Sequence, residues 1–196
     1  MLGQIDRENP YTRMIIEDKV KQWLKGIPDV VTSNGAESKL FTKLSGITQA
    51  GLEKNWAGKD EKRGTADDGR LTSCNSFAGG YSIAILGSKI KVSLAAFDLK
   101  KLVEKMGMPE AWKTQADDLS ARPGFGDLVR WKRLHVGVSL GFEGSKWKTI
   151  EGGKGGPKSG FDQIVRWSYD QYPVGEILGW VDFAAIYDHE PATVST

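Results

Sequence analysis

The pattern of apolar and polar positions changes character partway along the chain. Up to about residue 120 the apolar residues recur at helical spacing. "NPYTRMIIEDKVKQWLKG" carries Tyr11, Met14, Ile15, Trp23 and Leu24 as a partial stripe. Asn9 is placed to cap it, Pro10 suits the first helical position and Gly26 stops it. "AESKLFTKLSG" predicts a shorter helix through Leu40, Phe41 and Leu44, and the charged "NWAGKDEKRGTADDGR" reads as a loop. Thr72 is the expected N-cap of a further helix, with Cys74 at its second position and Phe77, Tyr81, Ala84 and Ile85 at helical spacing. Gly79 and Gly80 inside it cost about 1 kcal/mol each relative to alanine. They predict a close approach to another element, expected to be the strand of His135. "FDLKKLVEKMG" predicts a helix ended by Gly107, and "PEAWKTQADDLS" one more short helix.

After Arg122 the period shortens. "GDLVRW", "HVGVSLGF", "KWKTIEGG", "QIVRWSY" and "ILGWVDFAAIY" are β-type runs separated by Gly, Ser and Pro signals. Helices first and strands afterwards predict an α+β fold, with N-terminal helices packed on a C-terminal antiparallel sheet of about five strands. A length of 196 residues predicts a single domain, 1–196, with residues 1–70 as a helical N-terminal extension.

Composition narrows the function classes. A net charge of +2, from 27 basic and 25 acidic residues, is too balanced to argue for a nucleic-acid partner. No apolar run approaches the roughly 18 residues of a membrane span. The opening "MLGQIDRENP" lacks an apolar signal-peptide core, which predicts synthesis in the cytoplasm without a Sec signal. Seven tryptophans fit either a core or a groove. One cysteine excludes an intramolecular disulfide. Too few Cys and His residues stand at ligand spacing for zinc, and "EGGKGGPKSG" places Pro157 where a phosphate-binding loop needs glycine. Neither a cofactor nor a metal is expected.

Three residues nevertheless carry candidate chemistry. Cys74 opens a predicted helix, where unpaired N–H groups and the helix dipole favour a thiolate. His135 opens "HVGVSLGF", in which Val136, Val138, Leu140 and Phe142 form the core face. His135, Gly137, Ser139 and Gly141 form the other. A hairpin with Glu143-Gly144-Ser145 as its loop pairs Val138 with Ile150 and Ser139 with Thr149, and sets Glu151 opposite Gly137. Glu151 then lies diagonal to His135 on one face, within reach of its side chain. A loop of even length would put Glu151 on the wrong face. A carboxylate beside an imidazole fixes its tautomer and stabilises the imidazolium, which in turn lowers the pKa of a thiol. The remaining histidine, His189, is expected in a frayed tail. A core thiol, a structural strand histidine and a solvated glutamate would explain the same residues, and spacing leaves both readings open.

"RPGFGDLVRW", "HVGVSLGF" and "TIEGG" resemble the second half of the papain-like cell-wall amidases, closest to the CHAP group, with the NlpC-type endopeptidases as cousins. The resemblance covers Thr72 to Gly153 and rests on Cys74, Gly126-Asp127, His135-Val136-Gly137 and Glu151-Gly152. Gly153 stands where CHAP proteins often carry Asn, and residues 1–70 match no known pattern. The resemblance implies a papain-like catalytic core over residues 71–196, with no cofactor. It implies hydrolysis of an amide in peptidoglycan stem peptides or crosslinks, with Cys74 as nucleophile and oxyanion N–H donor, His135 as acid and base, and Glu151 orienting His135. A compact amidase without a signal peptide resembles type VI secretion effectors. That implies contact-dependent export, action in a target periplasm and an immunity protein over the cleft. A papain-like protease or acyl-transfer toxin acting on a cytosolic protein, and a non-catalytic binding module, remain alternatives.

Overall fold

The computed structural model describes residues 9–58 and 72–189. Its elements are α1 (Pro10–Leu24), β1 (Val30–Thr32), α2 (Ser38–Ser45), α3 (Gln49–Trp56) and α4 (Cys74–Leu86). They continue with α5 (Leu99–Lys105), β2 (Trp112–Lys113), β3 (Leu128–Trp131), β4 (His135–Glu143), β5 (Lys146–Gly152), β6 (Gln163–Tyr169), β7 (Ile177–Val181) and α6 (Phe183–Asp188). The fold is α+β, and its sheet is antiparallel throughout, in the order β1-β6-β5-β4-β3-β7-β2.

Among the described residues, seven strands replace the expected five. The five anticipated runs are β3 to β7. The two additions are edge strands of three and two residues, too short to show an alternating pattern. β1 comes from the segment expected to be wholly helical and sets Val31 opposite Ile164 on β6. β2 falls inside "PEAWKTQADDLS", where a 3-10 turn over Pro109–Ala111 gives way to pairing of Trp112 and Lys113 with β7. The expected loop begins with residues that instead close α3, with Trp56 fully buried; from residue 59 to 70 it lies outside the described residues. "ILGWVDFAAIY" is not one strand. Asp182 interrupts it, accepting the N–H groups of Ala184 and Ala185 and so capping α6. His189 is no frayed end, since its Nδ1 lies 3.3 Å from Glu110.

The helices cover one face of the sheet. Leu128, Val136, Val138 and Ile150 point into a core shared with Ile16, Phe41 and Phe77. The opposite face carries a smaller cluster of Val129, Trp131, Trp147, Ile177 and Trp180. Trp147 stacks on Trp131 and on Tyr169 at centroid distances of 5.5 and 5.3 Å. Most of the tryptophans are therefore core, with Trp167 about half exposed. Arg13 of α1 clamps this arrangement by pairing at 2.8 Å with both Asp127, just before β3, and Asp182.

Helix α4 sits at the centre, apolar around most of its girth as a buried helix must be. Its N-cap is Ser73 rather than Thr72, so Cys74 is the first helical residue. Gly79 and Gly80 do permit close approach, but not to the His135 strand. A Cβ at Gly79 would meet Ala95 at 2.6 Å, and one at Gly80 the Leu44 carbonyl at 2.8 Å. On the sheet side the close approach belongs to Gly152, where an added Cβ would meet Phe77 at 2.9 Å.

The β4–β5 hairpin reaches its expected register by an unexpected route. Glu143 pairs with Lys146, so the turn is the two residues Gly144 and Ser145, an even loop. Phe142 pairs with Trp147 and is part-exposed on the aromatic face instead of buried in the helix-facing core. A bulge between Ser139 and Phe142 then absorbs one residue, with Gly141 at φ +80°. Beyond it Ser139 faces Thr149 and Val138 faces Ile150. The bulge cancels the parity of the turn and returns Glu151 to the face of His135.

Candidate active site

The structure brings Cys74, His135 and Glu151 together. His135 Nε2 lies 2.7 Å from Glu151 Oε2. The Cys74 thiol stands beside the same imidazole, close enough for each group to shift the other's titration. The three are graded in exposure, from His135 at 17% and Cys74 at 6% to a fully buried Glu151. Trp131 flanks the imidazole at 5.1 Å between centroids.

Each position has a local cause. Ser73 anchors the start of α4: its N–H donates to Asp162 Oδ2 at 2.7 Å, and its hydroxyl accepts the Gly153 N–H at 3.0 Å. Gly153, where the resembled family often has Asn, lies against the nucleophile candidate. A Cβ there would sit 2.9 Å from Thr72 Oγ1 and 3.2 Å from the Cys74 Cβ. His135 is fixed by its register opposite Trp131 on β3. Glu151 is held by four donors. Besides His135, Lys154 Nζ pairs with Oε2 at 2.6 Å, while Thr149 and Tyr169 donate hydroxyls to Oε1 at 2.5 and 2.9 Å.

The electrostatics follow from these contacts. Burial alone pushes the Glu151 carboxyl up, but His135, Lys154 and Thr149 more than offset it and hold it at about 2. Burial pushes His135 down, yet its bonds to Cys74 and Glu151 win and raise it above its ordinary 6.5. Burial likewise pushes the Cys74 thiol up. Hydrogen bonds from His135 and Thr72, the imidazolium charge and the Asn75 N–H outweigh that and leave it below 9.0. The Thr72 hydroxyl donates to Sγ at 3.6 Å, a role other than the cap expected of it. Together these shifts favour a thiolate–imidazolium pair backed by a buried carboxylate.

Sequence reasoning missed Thr149, Lys154, Asp162 and Tyr169. Thr149 was accessible, because it stands two residues from Glu151 on the same strand face. The others arrive from outside the hairpin. Among the described residues no group of three or more His, Cys, Asp or Glu side chains is placed to hold a metal ion. A cleft of about 480 Å³ lies away from the three residues, lined by Arg13, Asp127, Asp182, Arg122 and Trp180 among others. Comparison of the chain with family models, curated proteins and solved structures returns no match.

Two outcomes test this geometry. A Cβ at Gly137 would lie 2.6 Å from Glu151 Cγ and 3.2 Å from the Ile150 carbonyl oxygen. Because four donors pin Glu151, Gly137→Ala should destabilise the fold by about 1–3 kcal/mol in urea unfolding. The depressed Glu151 carboxyl contributes stability that is present above its unfolded value of 4.5 and lost as pH falls towards about 2. Glu151→Gln should flatten that part of the acid limb in stability measured against pH.

Proposed function

We propose that the protein is a cysteine hydrolase with a papain-like core that cleaves an amide through a covalent acyl-enzyme. The observation that carries this reading is the 2.7 Å contact of His135 Nε2 with the buried Glu151, on an imidazole that stands beside the Cys74 thiol. The order of parts supports it: a cysteine opening a helix, a histidine opening a core strand, and a polar partner on the next strand.

On this reading Cys74 Sγ attacks the carbonyl carbon and the C=O electron pair moves onto oxygen. The Cys74 backbone N–H, at a helix start where N–H groups have no intrahelical acceptor, holds that oxyanion. Protonated His135 gives its proton to the departing amine nitrogen, the C–N bond breaks and a thioester remains. Neutral His135 then takes a proton from water as the water oxygen attacks the thioester. The C–S bond breaks, releasing a carboxylic acid and regenerating the thiolate–imidazolium pair. Glu151 orients the ring throughout and favours its charged form.

The substrate class we propose is the amide bonds of peptidoglycan stem peptides or crosslinks. It draws on the likeness of "HVGVSLGF" and "TIEGG" to the CHAP and NlpC-type enzymes. Delivery by a contact-dependent secretion system into a target periplasm, and an immunity protein that covers the site, belong to the same proposal. Purified protein incubated with sacculi should release new amines, and Cys74→Ala should lose at least about a thousandfold in rate, as removal of a nucleophile does. Mass spectrometry of the muropeptides identifies the bond cut. Equal release by wild type and Cys74→Ala would sink the assignment.

A further inference from the structure

Strand β3 carries a buried cation that neither the packing nor the reaction above uses. Arg130 pairs through its backbone with Val136 and Gly179, one step along the sheet from the Trp131–His135 pair. It shares the parity of Leu128, so it points to the helix-covered face from which Cys74 approaches. Its side chain is buried, with the residue 2% exposed, and Nε and Nη1 have no hydrogen-bond partner. The outer neighbour is Phe97, an exposed ring 5.8 Å from the guanidinium carbon. Asp98 is within electrostatic reach but occupied: it accepts the Lys101 N–H as the cap of α5 and pairs with the Lys101 ammonium.

Burying these two N–H groups is costly, because burial removes their water and no acceptor replaces it at Nε or Nη1. A guanidinium presents its N–H groups as a planar fork that matches a carboxylate in two parallel hydrogen bonds. Arg130 is also close enough to Cys74 to feel its thiolate charge. Arg130 is one residue along β3 from Trp131, the cross-strand partner of His135, so a carboxylate held on its guanidinium would lie on the Cys74 side of the sheet near the reactive pair. We propose that Arg130 is a specificity-determining residue of this site, its guanidinium binding a carboxylate that the substrate carries next to the scissile amide. The proposal rests on the cysteine-hydrolase reading and narrows its substrates to amides flanked by a free carboxylate.

The test uses the chain's single thiol and two small alkylating reagents that differ only in charge. Iodoacetamide is neutral and iodoacetate carries a carboxylate. With each, the Cys74 thiolate forms an S–C bond as the C–I bond breaks and iodide leaves with its electron pair. Rates are followed by intact mass at neutral pH, with free cysteine as the reference. The iodoacetate-to-iodoacetamide rate ratio should exceed that of free cysteine by about tenfold to a hundredfold, the range of one charge-assisted hydrogen bond. Alkylation should saturate with iodoacetate and be slowed by acetate but not by acetamide. Arg130→Gln should return the ratio to that of free cysteine, with the iodoacetamide rate of the same variant as the internal reference for any change in thiolate reactivity. Rapid alkylation by iodoacetamide with a free-cysteine ratio in the wild type, or an unchanged ratio in Arg130→Gln, overturns the Arg130 assignment alone. If that variant does not fold, saturation and acetate protection in the wild type decide: their presence supports the assignment and their absence overturns it. Reaction with both reagents no faster than free cysteine overturns the hydrolase reading and the Arg130 assignment together.

Discussion

The site depends on one buried charge. Glu151 is closed off from solvent, and a carboxylate there would give up its charge unless its partners compensated for lost water. They do: an imidazole, an ammonium and two hydroxyls converge on its two oxygens. Those donors come from β4, β5, β6 and the residue two past the end of β5, so one charge ties neighbouring strands to a single geometry. Its ionisation propagates outward. An ionised Glu151 favours imidazolium at His135, and imidazolium favours thiolate at Cys74.

The helix side is set by a separate group of contacts. Ser73, Asp162 and Gly153 fix where α4 begins, and Gly152 lets Phe77 press against the sheet. The two halves meet only if the β4–β5 register is right. The bulge at Leu140–Gly141 is thus part of the chemistry, since without it the two-residue turn would leave Glu151 on the helix-covered face. Arg130 enters from the next strand over, on the side from which the thiol approaches.

Much of the site could be read from the chain because its parts lie on a hairpin with strong alternation. Val136 and Val138 mark the core face, which leaves His135 and Gly137 on the other, and Ile150 places Glu151. The turn is one residue shorter than the alternation predicts, and the bulge compensates for it. Short edges were not legible: Val30–Thr32 and Trp112–Lys113 have too few residues for a period to emerge. The glycine pair in α4 signalled close packing correctly but not its partner, because Leu44 and Ala95 are joined to it only by tertiary folding. Lys154, Asp162 and Tyr169 were invisible for the same reason. Nothing in the sequence marks Arg130, and only the burial of Nε and Nη1 without an acceptor distinguishes it.

The lowered thiol and raised imidazole make a thiolate–imidazolium pair the expected resting state of the site. With two histidines in the chain, a nitrogen-15 spectrum of the imidazole side chains resolves His135 directly. At neutral pH both ring nitrogens of His135 should carry protons, and Glu151→Gln should shift the ring towards its neutral form. A neutral His135 at neutral pH in the wild-type protein, unchanged by loss of the Glu151 charge, would contradict it.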